Sequence, residues 1–258
     1  MQHAVKAKKS LGQHFLRSPA LAQRIVHLLD IGPHDRVLEI GPGPGALSGF
    51  LRLAEPGALV LLEKDAHWAA ERQRANEGQA VIMDALRLPW ERITSAWPWK
   101  LIGNLPYNIA SPLIWDAVSL ARGLTRAVFM VQKEVALRIA APPGGKSYGA
   151  LSVWVQSFVS PKIAFSVGQG MFNPPPKVDS AVIVLTPLPP GQRADRPEEL
   201  ARLLRLCFQN RRKQLQTIFK QNKMEHALHV LQDMKINPQN RPETLSPLLF
   251  QELSSKLY

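Results

Sequence analysis

Between residues 36 and 132 the chain alternates short apolar runs with stretches of helical spacing. The apolar runs predict β-strands at RVLEI (36–40), ALVLLE (58–63), QAVIMD (79–84), KLIGN (100–104) and RAVFMVQ (126–132). Apolar residues at helical spacing lie between some of these runs, over 46–54 and 110–121. Strands that alternate with helices are joined by crossover connections, so this pattern predicts a parallel sheet in an α/β domain.

The pattern changes in the second half of the chain. Residues 148–159 have helical spacing, and AVIVLTPL (181–188) predicts a late, fully apolar strand. PLPPGQRADRP (187–197) is rich in proline and charge, which is typical of a linker. Beyond it, 198–209 and 212–221 have helical spacing again, so we expect a small helical domain at the end of the chain.

Composition narrows the class of protein. Of the 258 residues, 45% are hydrophobic and 20% are charged, which suits a globular chain and argues against a disordered one. No apolar run approaches the ~18 residues of a membrane span, and the basic N-terminus lacks the apolar stretch of a signal peptide. The single cysteine, Cys207, excludes an intrachain disulfide, and its apolar helical face predicts a buried thiol. We therefore expect a cytoplasmic protein without a membrane partner.

Positive charge is concentrated in two segments. The formal net charge is +12, and residues 1–29 and 201–223 hold five and seven basic residues without an acidic one. Such an excess suits a polyanion such as nucleic acid, although two solvated basic faces would have the same composition. Arg211, Arg212 and Lys213 have no acid near them in sequence, so we expect them to bind phosphate.

A glycine turn, GPGPG (41–45), follows the first predicted strand and begins a helix. This is the position of a nucleotide-binding turn at the carboxyl end of a parallel strand. Glu63 and Asp84 end the next two predicted strands, where carboxylates accept hydrogen bonds from a ribose and from an adenine amino group. A dinucleotide and S-adenosylmethionine both fit this layout. Because proline has no N–H, Pro42 and Pro44 weaken a phosphate cradle and favour S-adenosylmethionine, which carries no phosphate.

The tetrapeptide Asn104-Leu105-Pro106-Tyr107 ends the fourth predicted strand and opens at the same edge of the sheet. It suits methyl transfer to the exocyclic N6 of adenine, whose lone pair is delocalised into the ring. If the Asn104 side-chain oxygen and the Leu105 carbonyl accept the two N–H bonds, the nitrogen becomes more tetrahedral and its lone pair available. Pro106 stiffens the turn, and the Tyr107 ring offers a face to the base and to the sulfonium. The alternative is a plain proline turn with a core tyrosine.

The order of the motifs resembles the rRNA adenine dimethyltransferase family over nearly the whole chain. The matching strings are LGQHFL (11–16), GPGPG (41–45), NLPYNI (104–109), VQKEVA (131–136), YGALS (148–152) and FNPPPKVDS (172–180). Leu105 and FQNRRK (208–213) are similar to the branch that acts on small-subunit (16S) rRNA. The resemblance implies a seven-stranded, Rossmann-like class I methyltransferase sheet in an S-adenosylmethionine-dependent domain (1–188), followed by a small helical RNA-recognition domain (189–258).

The resemblance also implies a site and a partner. The cofactor would contact residues from several motifs: His14, Leu16, Gly41, Glu63, Asp84 and Asn104. Asn104, Leu105, Tyr107 and Phe172 would form the target-adenine pocket, with Tyr107 and Phe172 on opposite faces of the base. The family dimethylates two adjacent adenosines near the 3′ end of small-subunit rRNA. We expect a monomer that acts on a pre-assembled 30S particle.

Three other functions remain open. The first is a dinucleotide-dependent oxidoreductase, which Pro42 and Pro44 disfavour. The second is a macrolide-resistance methylase, which shares the cofactor motifs but modifies large-subunit rRNA. The third is a non-catalytic RNA-binding protein of ribosome assembly that retains the fold. We expect no metal site, because His226 and His229 are not accompanied by a cysteine or acid cluster.

Overall fold

The computed structural model describes residues 13–258. Leu11 and Gly12 of the predicted N-terminal motif, and the basic residues Lys6, Lys8 and Lys9, lie outside the described residues. The strands are β1 (Phe15–Leu16), β2 (Arg36–Ile40), β3 (Ala58–Glu63), β4 (Gln79–Ile82), β5 (Trp99–Asn104), β6 (Leu124–Gln132), β7 (Val159–Val167), β8 (Phe172–Asn173) and β9 (Ser180–Pro187). The α-helices are α1 (Pro19–His27), α2 (Ser48–Leu53), α3 (Ala66–Arg74), α4 (Ala110–Leu120), α5 (Lys133–Ile139), α6 (Ala150–Gln156), α7 (Pro197–Gln209), α8 (Leu215–Gln221), α9 (His226–Asp233) and α10 (Pro247–Leu257).

Seven of the described strands form one sheet in the order β4-β3-β2-β5-β6-β9-β7. The strands from β4 to β6 pair in parallel, whereas β9 runs antiparallel to β6. This confirms the predicted α/β class and the seven-stranded sheet, and β2 and β3 have the predicted bounds. Because β2 to β5 are parallel, the turns that follow them open at one edge, which is where α/β folds bind ligands.

β7 has no counterpart among the predicted strands. The predicted helix extends to residue 159, but α6 ends at Gln156 and the chain then forms a strand from Val159. This strand lies at the end of the sheet order, where Pro161 is tolerated because an edge strand does not need every N–H for pairing. Its residues are mostly half-buried or exposed, so no continuous apolar run marks it.

A hydrophobic cluster packs α1 and the β1–β8 pair against the sheet. Ile25 of α1 and Ile102 of β5 are fully buried in this cluster. Leu16 pairs with Phe172 across the two short antiparallel strands, and both side chains belong to the same core. Burying a side chain of this size stabilises the fold by about 1.5–3 kcal/mol. The cluster thus anchors the segment that carries His14 directly before β1.

The described chain divides into two compact units. One comprises the chain up to Ala136 together with Pro161–Pro187, and the other comprises Leu137–Ser160 and Leu188–Tyr258. The sequence analysis assigned 137–160 to the methyltransferase domain, but their contacts group them with the C-terminal helices, since α6 packs against α7 and α10. The assignment of RNA recognition to residues 189–258 stays a prediction.

The second unit is largely helical. The buried face of α7 includes Leu203, Leu204 and Cys207, and burial raises the pKa of the Cys207 thiol to about 12. This confirms the predicted buried thiol. The Tyr148 hydroxyl donates a hydrogen bond to the Leu245 carbonyl at 2.8 Å. Within residues 13–258, no helix has the length and apolar character needed to cross a membrane.

Candidate active site

A cavity of about 300 Å³ lies in the first unit, at the carboxyl edge of the parallel strands. Its walls come from the segment before β1, from the turns after β2, β3 and β4, and from the tetrapeptide at the end of β5. His14, Gly41, Glu63, Asp84 and Asn104 all line it. Five of the six residues that we expected to contact the cofactor therefore surround one space, whose size lies at the lower end of the ~300–1,000 Å³ typical of ligand pockets.

In the glycine turn after β2, all three glycine N–H groups donate hydrogen bonds to other groups of the protein. Gly41, Gly43 and Gly45 have φ angles of +68°, +51° and +90°, which only glycine adopts readily. The Gly41 N–H donates to a β3 carbonyl, the Gly43 N–H to the Glu63 carboxylate and the Gly45 N–H to a carbonyl within the turn. Since the intervening prolines have no N–H, the turn has no donors left to cradle a pyrophosphate. This geometry favours a phosphate-free cofactor over a dinucleotide.

Glu63 is buried at the end of β3, with 6% of its surface exposed. Its Oε2 accepts the Gly43 N–H at 3.0 Å, and its Oε1 accepts the Asp65 N–H at 2.8 Å. These two bonds fix the plane of the carboxylate, and each oxygen keeps further acceptor capacity toward the cavity. Such an oriented carboxylate suits the two hydroxyls of a ribose, so the residues fit the adenosine part of S-adenosylmethionine.

Asp84 lies after β4 and forms an ion pair that the sequence analysis did not foresee. The Lys64 Nζ is 2.8 Å from the Asp84 Oδ2, and the Leu86 N–H donates to its Oδ1 at 3.1 Å. These hydrogen bonds, that of Lys64 first, lower the pKa of Asp84 below its usual value. The carboxyl group is therefore ionised at neutral pH, as an acceptor for an adenine amino group must be. The signal for Lys64 was its position directly after Glu63 at the same strand end.

The side-chain amide of Asn104 is oriented by the segment before β1. Its Nδ2 donates a hydrogen bond to the His14 main-chain carbonyl at 2.8 Å, so its Oδ1 is the atom left to accept a bond from a ligand. Leu105 is buried, and its N–H donates to the Met130 carbonyl of β6 at 3.1 Å. The turn that follows uses the Pro106 carbonyl as its acceptor, so the Leu105 carbonyl stays outside the hydrogen bonds of the turn.

Tyr107 lines the cavity and is held at two points. Its hydroxyl forms a 2.7 Å hydrogen bond with the Ser180 hydroxyl, and the His14 ring stacks on it at 5.5 Å with an interplanar angle of 27°. Burial raises the pKa of Tyr107, so its hydroxyl stays protonated at neutral pH. The His14 ring is itself fixed, because its Nδ1 bonds to the Pro174 carbonyl at 2.8 Å. The His14 ring thus covers one face of the Tyr107 ring, which lines the cavity.

The structure does not bring Leu16 and Phe172 to this cavity. Phe172 is 2% exposed, and the β1–β8 pairing directs both side chains into the core. Leu16 lines a neighbouring cavity of about 20 Å³, a volume large enough for about one water molecule. The contact of Phe172 with the target base and the contact of Leu16 with the cofactor both stay predictions.

Glu39 is a buried carboxyl group beneath the glycine turn. It is 1% exposed, lines the smaller cavity and accepts a hydrogen bond from the Ser48 hydroxyl at 2.6 Å. Burial raises its pKa to about 8, and the Ser48 hydrogen bond only partly opposes this shift. Sequence reasoning treated Glu39 as a strand residue and missed its neutral state, because its burial depends on the turn that covers it.

The three basic residues predicted to bind phosphate have different surroundings. Arg211 forms a 2.6 Å ion pair with Glu243 and also donates to the Lys146 carbonyl at 2.8 Å. The acid that pairs with Arg211 is therefore distant in sequence, since Glu243 follows 32 residues later. Phosphate binding by Arg211 stays a prediction. Arg212 and Lys213 are exposed, and the Lys213 ammonium donates to the Gln221 side chain.

Comparison with known sequences identifies relatives along the whole chain. The family model described as Ribosomal RNA adenine dimethylase matches residues 4–257. Ribosomal RNA small subunit methyltransferase A of Nitratidesulfovibrio vulgaris is 54% identical over 255 residues, which cover 95% of this chain and 94% of that protein. The protein of the same name from Lawsonia intracellularis is 46% identical and covers 99% of this chain and 96% of its own length.

Solved structures show the same similarity. A dimethyladenosine transferase from Plasmodium falciparum has a TM-score of 0.82 and 28% identity, with 93% of this chain and 96% of that chain covered. The 23S rRNA methyltransferase ErmE has a TM-score of 0.69 and 22% identity, with 94% and 99% covered, and shows a shared fold. The sequence matches extend over almost the entire chain, and three of the motifs that carry the resemblance, LGQHFL, GPGPG and NLPYNI, contribute residues to the cavity wall. The chain belongs to the ribosomal RNA adenine dimethylase family.

Proposed function

We propose that this protein transfers methyl groups from S-adenosylmethionine to N6 of two adjacent adenosines near the 3′ end of small-subunit (16S) rRNA, and dimethylates each. Its family uses S-adenosylmethionine to dimethylate adenine in rRNA. The relatives named small subunit methyltransferase A support the choice of RNA. The observation that carries the proposal is the amide of Asn104, whose nitrogen is bonded to the His14 carbonyl and whose oxygen is left for the target amine.

The acceptors at the end of β5 activate the amine. Bound S-adenosylmethionine supplies an electrophilic methyl group on a positively charged sulfur. The Asn104 Oδ1 and the Leu105 carbonyl accept the two N–H bonds of adenine N6, which draws the nitrogen lone pair out of conjugation with the ring. Because both groups are held by hydrogen bonds to His14 and Met130, the amine is positioned without reorganisation of the site.

The same acceptors stabilise the amine until it loses its proton. When the nitrogen attacks, a carbon–nitrogen bond forms, the carbon–sulfur bond breaks and the nitrogen becomes positively charged. Its remaining N–H bonds become acidic, so a proton passes to water without a strong base. Asn104 and Leu105 stabilise the positive hydrogens until then. The face of the Tyr107 ring opposite His14 is proposed to stack on the base and to keep the extruded adenine in place.

The proposed substrate is the rRNA within a pre-assembled small subunit, bound by a monomer in the cytoplasm. Two basic segments far apart in sequence support a broad RNA footprint. In the helical unit, the exposed Arg212 and Lys213 supply phosphate contacts. We do not include Arg211 among these contacts, because Glu243 already neutralises it.

Methyl incorporation on three substrates tests the proposal. Unmethylated small subunits, naked small-subunit rRNA and large subunits are each incubated with the protein and labelled S-adenosylmethionine. We expect incorporation into small subunits, less into naked RNA and none into large subunits. Incorporation into large subunits would instead indicate a macrolide-resistance methylase. Binding of small-subunit RNA without incorporation would indicate an assembly protein, and saturable NADH binding would indicate an oxidoreductase.

A further inference from the structure

We propose that Ser180 is a positioning residue for methyl transfer, which fixes the Tyr107 ring through a hydroxyl–hydroxyl hydrogen bond. The two oxygens are 2.7 Å apart, although the residues are 73 positions apart in sequence. This inference rests on the proposed function, because it assigns Tyr107 to the stacking surface for the target adenine. It adds a residue outside the tetrapeptide to the machinery of the reaction.

Ser180 is itself rigidly placed. It is the first residue of β9 and pairs with Gln132, the last residue of β6. Directly beside this pair, the Lys133 N–H donates to the Asp179 carbonyl at 2.9 Å. The Leu105 N–H is bonded to Met130 of the same strand. The end of β6 therefore serves as a common frame for Ser180 and for the tetrapeptide.

Ser180 acts through Tyr107 and does not touch substrate. Its side chain is fully buried and is not part of the cavity wall, whereas Tyr107 is half-buried and lines the cavity. A tyrosine ring turns about two side-chain torsions, of which the outer is broad and only weakly restricted. The tyrosine hydroxyl lies on the axis of the outer torsion, so stacking by His14 restrains the rotation of the ring about this axis but does not hold its far end. The Ser180 hydrogen bond holds the hydroxyl and thereby fixes the direction in which the ring extends from the backbone.

Loss of this bond is expected to affect turnover more than cofactor binding. A base that stacks on a misplaced ring leaves the Asn104 oxygen and the methyl group out of line, and a shift of ~1 Å costs up to about 100-fold in rate. We expect Ser180→Ala to lower kcat about tenfold. The KM for S-adenosylmethionine should stay within about twofold, since Ser180 does not line the cofactor cavity.

The experiment compares Ser180→Ala, Tyr107→Phe and the double variant on unmethylated small subunits. Tyr107→Phe removes the same bond from the other side and keeps the ring, so it tests the proposal even if Ser180→Ala folds poorly. Ser157→Ala is the matched control, because Ser157 is also fully buried and its hydroxyl donates to the Val153 carbonyl at 2.8 Å. Each protein is assayed for kcat, KM and melting temperature.

The proposal expects each single variant to lose kcat to a similar extent and the double variant to lose no more than either, since all three lack the same bond. Ser157→Ala should keep the wild-type kcat. Wild-type turnover in Ser180→Ala or Tyr107→Phe would overturn the proposal, and so would additive losses in the double variant. Absence of methylation by the wild-type protein would contradict the proposed function itself, which separates the two failures.

Discussion

The Asn104 side chain and the His14 carbonyl are joined by a 2.8 Å hydrogen bond across 90 positions of sequence. This bond decides which end of the amide is left for a ligand. With the nitrogen bonded to a carbonyl that cannot donate, the oxygen is the atom that we propose faces the target amine. In the proposed reaction, the hydrophobic core that holds β1 and β8 supports the orientation of Asn104, because it fixes the segment that carries His14.

Substitution of Asn104 tests this orientation. Asn104→Ala removes the acceptor, and we expect kcat to fall by about 100-fold or more, a loss typical of removing one preorganised polar group from a reacting centre. Asn104→Asp keeps acceptor oxygens but turns one of them toward the His14 carbonyl, where it is repelled, so we expect a comparable loss. Both variants should bind small-subunit RNA as the wild type does, as measured by filter binding. Full activity of Asn104→Asp would contradict the role of His14.

The glycine turn is tested by Gly43→Ala. Gly43 has a φ of +51°, and an added Cβ would lie 3.1 Å from the Phe15 ring, which lines the cavity. We expect weaker binding of S-adenosylmethionine in calorimetry and a loss of about 1–2 kcal/mol of stability from the positive φ. Gly144→Ala is the control, because Gly144 has a φ of +79° with open space around it and lies outside the cavity. It should lose stability but bind the cofactor normally.

Glu39 should make stability depend on pH. In the unfolded chain its carboxyl group ionises near the usual pKa of 4.5, whereas burial keeps it protonated to about pH 8 in the folded protein. Between these values the folded state binds more protons, so this group's contribution to stability is complete below 4.5 and is lost as pH rises toward 8. We expect Glu39→Gln to remove the part of the decline in unfolding free energy with pH that Glu39 causes. Denaturant unfolding of both proteins from pH 5 to pH 8 measures the difference, and parallel curves would contradict the buried neutral carboxyl.

Some basic residues of the helical unit should affect RNA binding, and others should affect stability. Arg212→Ala and Lys213→Ala are each expected to reduce the log–log salt dependence of RNA binding by about one unit, without a change in melting temperature. Arg211→Ala should instead lower the melting temperature, because it breaks the bonds to Glu243 and to the Lys146 carbonyl. Glu243→Gln is the matching control, because it removes the charge of the same ion pair from the other side. If Arg211→Ala changed the log–log salt dependence of RNA binding and the other two variants did not, this assignment would be reversed.

Periodicity predicted the sheet well where strands are buried on both faces. The bounds of β2 and β3 follow from short runs in which most residues are apolar, as expected of central parallel strands. The edge strand β7 has no such run, so its existence depends on pairing that periodicity does not reveal. The helical spacing of 198–209 marked α7 to within one residue for the same reason that β2 was found, namely an uninterrupted buried face.

The candidate site was predictable wherever its residues end a strand. Glu63 and Asn104 are the last residues of β3 and β5, and Asp84 lies two residues after β4; parallel strands bring these carboxyl ends to one edge. Contacts between distant segments were not predictable: Glu243 neutralises Arg211 from 32 residues away, and Ser180 reaches Tyr107 from 73. Phe172 shows the same limit. The family resemblance predicts that it contacts the target base, but the motif does not reveal that it pairs in a two-residue strand whose side chains belong to the core.

Mass spectrometry of the adenosines in small-subunit rRNA, after incubation of unmethylated particles with the protein and S-adenosylmethionine, tests the central claim most directly. The account predicts N6,N6-dimethyladenosine at two neighbouring positions near the 3′ end. Unmodified adenosines there, in particles that bind the protein in the presence of the cofactor, would contradict it.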